Sequence, residues 1–72
     1  MKVNLSKITD VSKFVNTVVQ IPIDIDLVSG RYTVDAKSIM GILSLDLSKP
    51  VNIVFREKIS ASDYEKLKSF VV

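Results

Sequence analysis

An α+β fold is what this 72-residue sequence predicts: a four-stranded antiparallel sheet with three helices on one face, in the order β-α-β-β-α-β-α. Three observations carry that expectation. Apolar residues recur at helical spacing from Val11 to Val19. Alternating apolar and polar runs flank Ser29-Gly30 and return at Val51–Arg56. Two serines, Ser38 and Ser60, each stand directly before a segment with helical character. An antiparallel sheet covered by helices on one side buries all of these apolar stripes at once.

Met1 to Ser6 alternates, with Val3 and Leu5 on one side, and reads as a half-buried strand. Thr9 or Asp10 is expected to cap the first helix, whose apolar residues Val11, Phe14, Val15, Val18 and Val19 fall at i, i+3, i+4, i+7 and i+8. Its many β-branched residues oppose that by a few tenths of a kcal/mol each, and the periodicity outweighs them. Pro22 lacks an amide hydrogen and disfavours helical geometry before it, so the helix should end near Gln20. Ile23, Ile25 and Leu27 then alternate with polar or smaller residues, as do Tyr32 and Val34 beyond Ser29-Gly30. A two-residue Ser29-Gly30 loop would set Leu27 opposite Tyr32 and Ile25 opposite Val34, with every large apolar side chain on one face.

Ser38 should open a short helix, its hydroxyl accepting a first-turn amide. Nearly every following position is apolar, yet a short helix on a sheet buries about half its circumference. Ile42 with Leu45 form one stripe and Met40 with Leu43 another, so one stripe, joined by Ile39, must face outward. Asp46–Pro50 leads into a fourth strand with Val51, Ile53 and Phe55 inward. Ser60 caps the last helix, with Asp63 completing a capping box, Ile59 stapling against Tyr64, and Tyr64, Leu67, Phe70 and Val71 as its buried stripe.

A chain of this length predicts one domain, 1–72, near the lower size limit for folding without staples. With no cysteine there are no disulfides, thiolate metal sites or cysteine nucleophile, and no metal or cofactor is expected. The early lysines are followed by no signal-like or membrane-length apolar run, so the chain reads as cytoplasmic. The charge of +2 is mild and the ten basic residues are scattered, without the basic stripe and stacking aromatics of a nucleic-acid binder. Phe14, Tyr32, Phe55, Tyr64 and Phe70 each sit where a core residue is expected. The mean hydropathy, +0.32, leaves room for an adhesive surface.

Candidate chemistry is sparse. Asp24, Asp26 and Asp35 would share a solvated strand face, which supplies neither the burial nor the close like charge that acid–base work needs, so they read as charges protecting the outer sheet surface. Ser38 as a nucleophile has no histidine to activate it. Lys7 and Lys13 near a helix start are too ordinary to mark a phosphate site, and Gly30 and Gly41 form no phosphate-cradling loop. Nothing here predicts an enzyme.

Lys37-Ser38-Ile39-Met40-Gly41, followed by a small apolar helix, resembles the HPr family, the small histidine-containing phosphocarriers of the bacterial sugar phosphotransferase system. Order and spacing of the elements agree from about Thr9 to Phe70. The resemblance implies an HPr-like open-faced β-sandwich, Ser38 in the regulatory phosphorylation position, and Lys37, Ile39, Met40 and Leu43 as the partner-binding surface. One departure is large. The family's loop of the form Gly-x-His-Ala-Arg-Pro should lie near Ser6–Asp10, where none of its residues is present, and the chain contains no histidine. The expectation is therefore a non-catalytic regulatory or protein-binding module, with a phosphotransferase-system or carbon-regulation protein as partner. The alternative is a structural, oligomerising domain that uses the scaffold to self-associate.

Overall fold

The computed structural model describes all 72 residues, Met1–Val72. Its elements are β1 (Lys2–Val3), α1 (Ile8–Val18), β2 (Ile25–Ser29), β3 (Tyr32–Asp35), α2 (Ile39–Leu43), β4 (Val51–Phe55) and α3 (Ala61–Leu67), the last running into a 3₁₀ turn at Lys68–Phe70. The four strands form one antiparallel sheet in the order β1-β4-β2-β3. Ile25, Leu27, Val51 and Ile53 point to one face, where they meet Val11, Phe14, Val15 and Val18 of α1, Ile42 of α2 and Leu67 of α3 in a single core. Phe14 receives Phe70 edge-on, with ring centroids 5.3 Å apart. All three helices thus cover one face, and the other is open: this is the predicted α+β arrangement.

The first strand is shorter than Met1–Ser6. Only Lys2 and Val3 pair with β4, opposite Asn52 and Val51, because the same register would set Asn4 against Pro50, which has no amide to donate; the free edge of β1 takes the C-terminal tail. The Asn4 amide donates to Phe70 and the Val72 amide to Lys2, with Val3 bridging Val71. Leu5 is nonetheless buried.

The first helix starts earlier than expected. Lys7, in extended backbone, precedes it without a side-chain cap, and Thr9 and Asp10 lie inside the first turn. An acidic residue there is stabilised by the helix dipole as a cap would be, so Asp10 signals the end of the helix without fixing its first residue. Thr17 returns its hydroxyl to the Lys13 carbonyl at 2.9 Å, which accommodates one β-branched residue. The helix stops at Val18. Val19, placed by periodicity on the buried face, is 53% exposed, and after a tight turn in which the Ile21 amide donates to Val18, Ile21 fills the core ahead of Pro22.

The hairpin loop is Gly30-Arg31, not Ser29-Gly30. Ser29 lies opposite Tyr32 and Leu27 opposite Val34. Gly30 has φ +58° and no other residue is positive, the pattern of a type II′ turn. A Ser29-Gly30 loop would have put a serine at the first position, where favoured hairpin turns need a left-handed φ that costs a non-glycine residue roughly 1–2 kcal/mol. The shift is two residues, so the apolar face survives, but Tyr32 moves to the hairpin tip and is 69% exposed instead of core.

Ser60 caps α3 by accepting the Asp63 amide at 3.2 Å, while the Asp63 carboxylate turns to Lys66 at 3.2 Å instead of closing the capping box. Of the expected stripe Leu67 is buried and Phe70 and Val71 are half-buried, but Tyr64 is exposed, an amphipathic ring left at the rim.

Candidate functional site at the second helix

The β3 strand ends by launching the chain across the sheet. The Ala36 amide donates to Ile25 at 2.9 Å as a last rung, and Ala36 is buried. Asp35 then organises a turn, its carboxylate accepting the Lys37 amide at 2.9 Å and its carbonyl the Ser38 amide at 3.0 Å. Ser38 is extended, with φ −107° and ψ 110°, and its Oγ accepts the Gly41 amide at 3.1 Å, the N-cap bond expected from the sequence. Gly41 has a steric task. A Cβ there would lie 3.3 Å from both Ser38 Oγ and Val34 Cβ, tighter than ordinary packing, so its missing side chain lets the cap close and α2 settle against β3. At the far end Ser44 donates its hydroxyl to the Gly41 carbonyl at 2.6 Å.

On this short helix Ile42 is 0% exposed and Leu45 is also buried, whereas Met40 is 80%, Leu43 44% and Ile39 42% exposed. The two stripes separate as their spacing requires: one in the core, the other in water. Lys37 borders this surface, but its ammonium turns inward and donates to the Ile21 carbonyl at 2.8 Å. Beyond the helix, Asp46 accepts the hydroxyl and the amide of Ser48; these bonds, the hydroxyl's foremost, hold its carboxyl below the usual carboxylate value.

The other candidates lie elsewhere. Asp24, Asp26 and Asp35 line a shallow depression on the open sheet face with Ile25 and Arg56. Arg56 forms an ion pair with Asp26, Nε donating to Oδ2 at 2.7 Å, and Asp26 stands directly opposite Asp35 across the β2–β3 ladder. No group of three or more acidic or other ligating side chains is disposed to hold a metal ion. Ser6 to Thr9, where the family's histidine loop would fall, are exposed at the head of α1, and Lys7 and Lys13 are exposed as well. No helix is long and apolar enough to cross a membrane.

Sequence reasoning missed the steric role of Gly41 and the part Ile21 plays in holding Lys37. Gly41 could have been suspected, since a lone glycine inside a helical pattern usually has a packing reason. The contact of Lys37 with Ile21 spans 16 residues and has no local signal.

The family model described as the PTS HPr component phosphorylation site matches residues 9–70. The chain belongs to the HPr family. No curated protein matches its sequence. Among solved structures it is similar to Crh, the Bacillus subtilis catabolite repression containing protein, with a TM-score of 0.65 and 25% identity over 96% of this chain and 77% of Crh. Crh is described there as an intertwined dimer with a swapped domain. The HPr fold thus accounts for the sandwich, and this HPr-family chain contains no histidine.

Proposed function

We propose that this HPr-family chain is a protein-binding regulatory module that acts through α2 and does not relay phosphoryl groups as a carrier. Ile39, Met40 and Leu43 are its docking patch, Lys37 borders them, and Ser38 occupies the regulatory phosphorylation position. The observation that supports this most is the division of α2: Ile42 and Leu45 satisfy the core, yet three further apolar side chains remain in water. Covering a side chain as exposed as Met40 gains roughly 1–3 kcal/mol of hydrophobic free energy, enough for a few such residues to anchor a partner. The partner that the family resemblance suggests is a phosphotransferase-system or carbon-regulation protein. A carrier role is set aside on chemistry. Imidazole is a good nucleophile and a good leaving group near neutral pH, and the chain has none.

Titration calorimetry against enzyme I and the carbon-regulation proteins of the same genome tests the reading. Binding by the parent chain that disappears in a folded Met40→Asp variant supports it. Binding that survives in that variant moves the interface elsewhere and defeats it.

A second reading, self-association through the same scaffold, is favoured by the description of Crh as an intertwined, swapped dimer. Light scattering across a concentration series separates the two. A concentration-independent monomer eliminates self-association, whereas a dimer that Met40→Asp dissolves replaces the first reading with the second.

A further inference from the structure

The position of α2 depends on one long side chain. Lys37 Nζ donates to the Ile21 carbonyl at 2.8 Å in a partly buried setting, tying the leading end of α2 to the turn that follows α1. That turn is itself held by the Gln20 and Ile21 amides, which donate to the Thr17 and Val18 carbonyls. Lys37 adds a bond from another element to the carbonyl that ends this turn. Its amide is fixed as well, by the Asp35 carboxylate.

Building on the reading of α2 as a regulated docking surface, we propose that Lys37 is an internal clasp between α2 and the end of α1. A phosphate on Ser38 opens the clasp by drawing the ammonium to itself. Lys37 and Ser38 are neighbours in the chain and there is one ammonium between them, so the Ile21 carbonyl and a phosphate on Ser38 Oγ compete for it. The competition is unequal. The carbonyl is a neutral acceptor, whereas a phosphate brings about −1.5 to −2 charge and three acceptor oxygens, and charge-assisted bonds of that kind are roughly twice as strong as neutral ones. Once freed, the turn that holds exposed Val19 and buried Ile21 loses its anchor, so the charge at Ser38 is felt at the far end of α1.

A chain of 72 residues can be assembled chemically with phosphoserine at position 38. Four proteins are compared by NMR: the parent, Lys37→Met, the phosphoserine form, and the two changes combined. The readouts are the carbonyl ¹³C shift of Ile21 and the hydrogen exchange of the Gln20 and Ile21 amides. Lys37→Met and the phosphate should each move the Ile21 carbonyl upfield and speed exchange roughly tenfold or more, the size of losing a hydrogen bond to a charged group. Combined, they should do no more than either alone. An Ile21 carbonyl that ignores the phosphate overturns the clasp, and so does a phosphate effect of full size in the Lys37→Met background. Should Lys37→Met not fold, the parent and phosphoserine proteins decide the matter between them. No partner is present, so failure here leaves the Met40 interface standing, and failure of that interface leaves these shifts unaffected.

Discussion

Replacing Met40 with Asp and, separately, Ile42 with Ala tests the division of α2 on which the functional reading depends. Met40 keeps about a fifth of its surface covered, so the change forfeits roughly 0.3–0.6 kcal/mol of the 1.5–3 kcal/mol that full burial of such a side chain is worth. Aspartate is poorer than methionine in a helix interior by about half a kcal/mol. Met40 is the second residue of α2, however, where a negative charge near the helix N-terminus returns about 0.3–1 kcal/mol. The net effect should be within about 1 kcal/mol of zero, a shift of no more than about 8 °C in melting temperature for a domain of this size. Ile42 has no exposed surface, and its truncation to Ala should cost about 2–5 kcal/mol. That is a large part of the roughly 4–11 kcal/mol total stability usual for such a length. Urea melts monitored by far-ultraviolet circular dichroism measure both. If Met40→Asp is destabilised as much as Ile42→Ala, the outward stripe is part of the core, and no docking patch exists on α2.

Three further outcomes follow from the same geometry. Ile25→Ala should cost about 2–5 kcal/mol because Ile25 is buried between β4 and α1, while exposed Asp24→Ala should stay within about 0.5 kcal/mol; the reverse ranking in urea melts would invert the sheet. Ser38→Ala should lower stability by about 1 kcal/mol through loss of the bond to the Gly41 amide, and Ser38→Asp, another good cap with a favourable charge, should preserve it; equal losses in both variants would show that the cap contributes little. Incubation with phosphoenolpyruvate and enzyme I should leave the intact mass unchanged, since the chain has no histidine, and a stoichiometric phosphoryl adduct would contradict the non-carrier reading.

The elements legible in the sequence were those in which periodicity and a local cap agree. Ser38 and Ser60 each have an apolar-patterned segment behind them and a side-chain oxygen within reach of the third following amide, and both cap as expected. What could not be read was decided at a distance or by a choice between near-equal local signals. Thr9 and Asp10 look like caps, but acidic residues are equally stable one turn in, so α1 begins at Ile8. Ser-Gly permits two loop placements, and only the φ needed at the first loop position favours Gly30 there, with the consequence for Tyr32 seen at the tip. β1 is cut short where its register reaches Pro50, a pairing partner about fifty residues away. Ile21 and Ala36 entered the core from a turn and a strand end, where no periodic pattern announces burial.

The five-residue segment Lys37–Gly41 is where the family resemblance is most visible, and the structure divides it by the work its residues do. Lys37 ties α2 to the end of α1, Ser38 caps the helix, and Gly41 makes room for both the cap and Val34. Each of these three is explained by folding alone, so their presence would be expected in any chain that places a helix here in this way, whether or not a kinase or a partner ever reaches it. Ile39 and Met40 are different. Neither caps or tethers anything, and Met40 lies largely and Ile39 partly in water beside Leu43. At Met40 an apolar residue gains little in the isolated fold, and a polar one would serve nearly as well. On the proposed reading Ile39, Met40 and Leu43 therefore supply the contact and Ser38 its regulation, and the surface depends on the sheet and the Ser38 cap, both of which form in a chain without histidine.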